Sequence, residues 1–306
     1  MTHKIMTTEK TKLIGAISVS ASAFMFGLEG TVLKLAYAGG FSVFLMAAMR
    51  YAMAALLFGG IVLMLKKPVL PPRGHTKLVL AAGCVVSLTS ITLYIAYYLM
   101  PASYATLFFY SHPSFTILFS RIFLKRRILT SRLIAIILSV LGLLLLFCTS
   151  VDMLPVAGVL VALLSALTQS AKILICGSVL ENVDTVTYSF NVTTIAAVIF
   201  SVITLLLGEF SLLPSASAGS WCCFLFLSVF VTAGGNFANF FGLNRIGTID
   251  TSLFMLFEAP VSVVAAFIVL GDSFSGLQIL GACLVIAAIA VPALSDKLSQ
   301  KNQIRV

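Results

Sequence analysis

The chain has 306 residues, 60% hydrophobic and 9% charged, where soluble globular domains carry about 25% charged residues. Its composition excludes a soluble globular protein and points to an all-α polytopic membrane protein in which about ten apolar spans of ~20 residues use up most of the length. No fused soluble domain fits in the remainder, no G-x-x-x-x-G-K-[ST] phosphate loop occurs, and the net charge of +9 lies beside the spans instead of in a groove or arm, which argues against a nucleic-acid partner.

The spans are expected at about 13–36, 42–65, 77–99, 103–123, 129–147, 155–180, 185–207, 220–241, 249–270 and 275–295. The first apolar run is too long for a signal-peptide core and reads as the first helix. Sixteen of the nineteen Lys and Arg residues fall at alternate ends of the spans, from Lys4 to Arg305. Of these basic residues only Lys34, placed to snorkel to water, marks the opposite ends. This bias predicts a multi-pass protein of the cell inner (plasma) membrane with both termini cytoplasmic. Trp221 opens the eighth span at the outer interface, and the triplet Asn191-Val192-Thr193 falls inside a span where no sugar can be attached. The six cysteines show no C-x-x-C and no His at ligand spacing, so they read as packing residues. No metal or cofactor is expected.

Met100 to Arg127 reads MPASYATLFFYSHPSFTILFSRIFLKRR, and Gly247 to Asp272 reads GTIDTSLFMLFEAPVSVVAAFIVLGD. A shift of 147 positions, from 113 to 260, lays Pro113 on Pro260 and Ala105 on Ser252. Each proline lacks the N–H that would bond the carbonyl four residues back, so both spans should kink, with Phe109 and Leu256 losing their usual donors. Such a kink must face protein or a cavity rather than lipid. Five spans per half make the halves opposite in direction, an inverted repeat whose substrate site lies where the halves meet. The expected division is 1–147 and 155–295 for the repeats and 296–306 for a cytoplasmic tail.

Five ionisable residues fall well inside spans: Glu29, Arg50, His112, Lys172 and Glu258. Each is expensive in lipid and should face the interior with a partner. Depth along the helices allows Glu29 to pair with Arg50 and Lys172 with Glu258. The first pair reads either as a structural pair that locks the outer half or as a direct part of the substrate site or gate. Glu258 can hold a proton during transport or bind a cationic group, and His112 is either a ligand beside the kink or a helix-packing histidine. Tyr94 and Tyr110 are deep enough to line a pocket, whereas Tyr97 and Tyr98 suit an aromatic belt. Asn236 and Asn239, just after Gly234 and Gly235, make the eighth span thin and polar.

The ten spans in two repeats, Arg50 in the second span, and the proline-centred fourth span repeated as the ninth (Pro113, Pro260) resemble the EamA-type transporters of the drug/metabolite transporter superfamily, over nearly the whole chain. The resemblance implies a basket-shaped cavity lined by the first, third, fourth, sixth, eighth and ninth spans. It also implies a carrier for amino acids, other metabolites or drugs. The resulting expectation is secondary active transport, in the export direction, of a small polar or amphipathic organic solute. Proton coupling is possible, as are a monomer or a homodimer. Glu258, His112, Tyr94, Tyr110, Lys172, Asn236 and Asn239 are candidates to bind or couple, and Pro113, Pro260, Arg50 and Glu29 to shape or gate. An intramembrane enzyme would need a convergent catalytic set, and neither H-E-x-x-H nor a nucleophile and base constellation is present. A channel-like facilitator fits a kinked inverted repeat less well than a carrier does.

Overall fold

The computed structural model describes residues 9–100, 102–123, 125, 129–147, 155–211, 217–270 and 275–303. The described residues form helices and no strands. In chain order they are α1 (Glu9–Ala38), α2 (Val43–Met64), α3 (Thr76–Leu99), α4 (Ala102–Phe109), α5 (His112–Phe123), α6 (Thr130–Phe147), α7 (Val156–Leu180), α8 (Thr185–Leu206), α9 (Ala218–Leu225), α10 (Asn236–Ile246), α11 (Thr248–Phe254), α12 (Glu258–Leu270) and α13 (Gly276–Gln303). A π-helical segment, Phe226–Gly235, joins α9 to α10, and a 3-10 turn, Met255–Phe257, joins α11 to α12.

Counting each joined set as one span, seven are long and apolar enough to cross a membrane, and α6 and α13 carry shorter apolar stretches, Thr130–Leu146 and Gly276–Pro292. With α4 and α5 in series, this makes the ten spans expected. Both proline sites interrupt their helices, each in its own way. Before Pro113 the helix breaks at Tyr110 and Ser111, and the Ser111 N–H and hydroxyl both turn back to the Phe108 carbonyl, at 3.1 and 2.6 Å. Before Pro260 the helix tightens, so that the Glu258 N–H reaches the Met255 and Leu256 carbonyls. The eighth and ninth spans turn at Gly247, whose φ of 83° is open to glycine and strained for other residues. α13 continues to Gln303, through much of the segment expected to be tail.

Packing between the two halves obeys a pseudo-twofold. The pairs α2–α8 and α6–α13 join equivalent spans and lie on the axis, and the fourth and ninth spans also meet, where α5 packs on α11. The other main contacts come in mates: α1 on α12 answers α7 on α4 and α5, α1 on α10 answers α3 on α7, and α2 on the π segment answers α3 on α8. An inverted repeat requires this pairing, since whatever one half does at one end the other repeats at the opposite end. At the α6–α13 seam the backbones nearly touch: a Cβ on Gly281 would stand 2.5 Å from the Leu146 nitrogen and 2.6 Å from the Gly142 carbonyl oxygen. Small residues are what permit this approach between membrane helices.

Of the apolar clusters that bind the halves, two gather the most buried side chains. One gathers side chains of α2, α3, α7, α8 and α10, with Tyr51 stacked on Phe200 at 5.5 Å and Tyr188 edge-on to Phe240 at 4.9 Å. The other joins α4, α5 and α6 to α11 and α13. Large aliphatic side chains such as Leu56, Leu206 and Ile268 stay exposed on the outer wall, as a lipid-facing surface requires. The five described cysteines are free.

Candidate functional site

The end of the bundle that carries Glu9 and Gln303 is called the near end here, and the opposite one the far end. Between the halves lies a cavity of about 510 Å³, within the 300–1,000 Å³ range of small-molecule sites. From α1 it takes residues between Phe26 and Tyr37, from α3 residues between Val86 and Tyr97, and from α12 residues up to Phe267. These are the far-end halves of the helices. Its floor is set by Lys172, Asn239 and Met255 near the middle of their spans, and none of its lining comes from the near-end turns. The cavity is therefore open towards the far end and closed at the near end.

The interrupted helices supply the floor and the polar wall. In the π segment the Thr232 hydroxyl donates to the Leu227 carbonyl at 2.9 Å, the Asn236 amide donates to the Thr232 carbonyl at 2.7 Å, and Ser22 of α1 reaches across to the Gly235 carbonyl at 2.8 Å. Side chains thus occupy carbonyls that a regular helix would bond itself, and the widened turn sets Thr232, Asn236 and Asn239 on the cavity wall. The Asn239 amide rests on the Met255 sulfur at 3.0 Å.

Glu258 is the first residue of α12, directly after the 3-10 turn that interrupts the ninth span. The Tyr110 hydroxyl faces it within hydrogen-bonding reach. Tyr110 stands at the break of the fourth span and Glu258 at that of the ninth, so the two interruptions meet across the axis. Lys172 lines the same cavity and feels the Glu258 charge, yet no ion pair closes between them. Similar depth along the helices allows such a pair, but depth does not fix where around its helix each side chain points.

The Glu29–Arg50 pair does close, with Arg50 Nη1 at 2.6 Å from Glu29 Oε1. Arg50 is buried, and its Nη2 donates to the Tyr94 hydroxyl at 3.4 Å. Nη1 lies close to the carboxylate without aligning its N–H on it, so the contact is an electrostatic pair rather than a fork of hydrogen bonds. Both charges line the cavity on its far-end side.

Of the residues singled out by sequence, Glu258, Tyr94, Tyr110, Lys172, Asn236, Asn239, Arg50 and Glu29 come together around one cavity. His112 does not line it. The residue is buried between α5 and α7, its ring lies 5.5 Å from that of Phe109, and its carbonyl accepts from Ser170 at 2.8 Å. Pro113 and Pro260 are buried at the breaks they cause. The second span contributes Val43, Arg50 and Tyr51 to the wall, a span that the resemblance left out, and α13 adds Gln278 at the mouth. Sequence reasoning missed Gln169, a buried amide three residues before Lys172 and so on the same helical face. It also missed Tyr37, and it read Lys34 as a boundary marker although Lys34 stands at the cavity mouth.

The EamA-like transporter family model matches the chain twice, over residues 13–148 and 156–293. No curated protein matches the chain in sequence. Among 29 solved chains of similar fold, one described only as "Crystal structure of protein" superposes with a TM-score of 0.74 at 17% identity, covering 94% of this chain and 97% of that one. At that identity the likeness bears on the fold alone. The two matches account for both repeats and nearly every span, so the chain belongs to the EamA-like transporter family and is a multi-pass membrane transporter of the drug/metabolite transporter superfamily.

Proposed function

We propose that the protein is a secondary carrier that exports a small organic solute bearing separated cationic and anionic groups, an amino acid or a related amphipathic metabolite. The observation that carries this reading is that Glu258 and Lys172 face one cavity without pairing with each other. Two opposite charges left apart in a low-dielectric wall each need a counter-charge, and a zwitterionic solute supplies both at once. The aromatic faces of Phe26, Tyr94 and Tyr110 give its apolar part a surface. Glu258 is also the residue to carry a coupling proton, because a bound cationic group and a proton compete for the same carboxylate.

The cavity is open at one end and closed at the other, and the halves are related by inversion. Both features favour alternating access over a permanent pore. The Lys and Arg bias favours a cytoplasmic near end, and on that reading the cavity faces out. The matched family is a transporter family, which favours transport without chemical change of the solute. Thermal denaturation of the purified protein against a metabolite library tests it, since a ligand that binds the folded state raises the midpoint by mass action. Zwitterionic compounds should stabilise the wild type, and that shift should shrink in Glu258→Gln and in Lys172→Met alike. Stabilisation confined to uncharged compounds would contradict the proposal.

A further inference from the structure

Among the described residues, three ion pairs join the halves or line the far-end cavity, and internal symmetry separates their roles. Lys67, just past α2, donates to Asp184, the N-cap of α8, at 2.9 Å. The inverted mate of this contact is Ser42, the N-cap of α2, which donates to Glu209, just past α8, at 2.6 Å. Both mates are made in the same conformation, one at each end of the α2–α8 seam. A contact closed at both ends at once does not report which way the transporter faces, so this seam is a hinge line. Glu29–Arg50 lies within one half.

Arg132–Asp250 differs. Arg132 Nε and Nη2 bond the two Asp250 oxygens at 2.8 and 3.0 Å, a bidentate fork from the start of α6 in the first half to the start of α11 in the second. The shift of 147 carries 132 to 279 and 250 to 103, the starts of α13 and α4. There the sequence has Ile279 and Ser103, with no opposite charges from Gly276 to Ile279 or from Ala102 to Tyr104, and Gln278 stands on the wall of the open mouth. Among the described residues the near end is thus fastened by an ion pair that the open far end does not duplicate.

What lies behind this pair is a path already furnished with polar groups. The same shift maps Phe267 and Gln278, both on the open cavity wall, to 120 and 131. Those positions are Ser120 and Ser131, whose hydroxyls are buried and have no protein partner in this conformation. Thr248 and Thr251, flanking Asp250, have buried hydroxyls in the same condition. A cluster of unpaired hydroxyls is costly in a permanently dry seam, whereas it suits a wall that becomes wet when the near end opens.

We propose that Arg132 and Asp250 form the lock of the near-end gate, and that breaking their fork exposes an inward path lined by Ser120, Ser131, Thr248 and Thr251. The proposal rests on the carrier reading for its meaning, but its test needs no solute, so the two can fail separately. The full chain in lipid nanodiscs, with Ser120→Cys as a reporter, is labelled with a water-soluble maleimide, and the signal of the parent lacking the reporter is subtracted. With the native pair the reporter should be protected. Asp250→Asn should raise its labelling rate about tenfold, Arg132→Gln should do the same, and the exchanged pair Arg132→Asp with Asp250→Arg should restore protection. Should one single variant lose monodispersity, the other single variant and the exchanged pair still decide the matter. A reporter that stays protected in a folded single variant overturns the proposal, and so does an exchanged pair that labels as fast as the singles.

Discussion

Tyr110 and Glu258 meet across the pseudo-twofold axis, each at the point where its own span is interrupted before a proline. A shift of 147 would pair Tyr110 with Phe257 and Glu258 with Ser111, so the two partners are not equivalent. The symmetric backbone supplies two matching breaks, and the side chains placed there make one acidic site. That difference gives the cavity a polarity which the fold by itself does not have.

Replacing Tyr110 with Phe should weaken solute binding less than replacing Glu258 with Gln, since the first removes a neutral hydroxyl and the second the charge. A loss of roughly threefold in affinity for the first and tenfold or more for the second is expected. Isothermal titration with a solute found by thermal screening checks the order. Equal losses would mean that the charge of Glu258 contributes no more to solute binding than the neutral hydroxyl, contrary to the account.

The Glu29–Arg50 pair should respond unequally to loss of either member. Arg50 is buried in the wall while Glu29 is partly open to the cavity, so Glu29→Gln strands a buried cation and Arg50→Met leaves an acid that water can reach. The first should be destabilised by about 3 kcal/mol, and the second by less. Thermal denaturation in detergent compares the two, and a greater loss in Arg50→Met would refute the stated asymmetry.

At the α6–α13 seam, Gly281→Ala puts a Cβ against backbone atoms that cannot move as a flexible side chain would. A loss of about 1–3 kcal/mol is expected, without change in solute affinity, because the seam lies away from the cavity. Stability and binding measured on the same preparation separate the two effects.

At Asp184, partial burial raises the carboxyl pKa, but the hydrogen bond from Lys67 and the Val186 N–H outweigh it and hold the group below its ordinary value. A depressed folded-state pKa stabilises above the unfolded value of about 3.9, and that stability fades as pH falls through the lower folded value. Asp184→Asn should therefore be slightly less stable than the wild type at neutral pH and should converge with it below about pH 4. Melting curves of both proteins across that range show whether the gap closes.

Much of this was legible in the sequence, for reasons that particular residues make plain. The ten spans follow from the run lengths of apolar residues, and the two breaks follow from the missing N–H of Pro113 and Pro260. Depth was legible as well, which is why Glu29 and Arg50 were matched. Azimuth was not: Lys172 and Glu258 line one cavity without closing an ion pair, and His112 sits beside the break while its ring packs against Phe109. The π segment had only Gly234 and Gly235 as a hint, since its geometry depends on Ser22, a residue 213 positions away. Arg132 looked like one more cytoplasmic charge. Its meaning appears only when Asp250, 118 positions on, is seen beside it.

The most direct test of the account is counterflow in proteoliposomes. Vesicles containing the protein are loaded with an unlabelled zwitterionic solute that stabilises it, then diluted into a trace of the labelled compound, and uptake is followed for the wild type and Glu258→Gln. The account predicts a transient accumulation of label that saturates with solute concentration in the wild type and is largely lost in Glu258→Gln. Uptake that is linear in concentration, indifferent to the solute inside and unchanged by the substitution would contradict it.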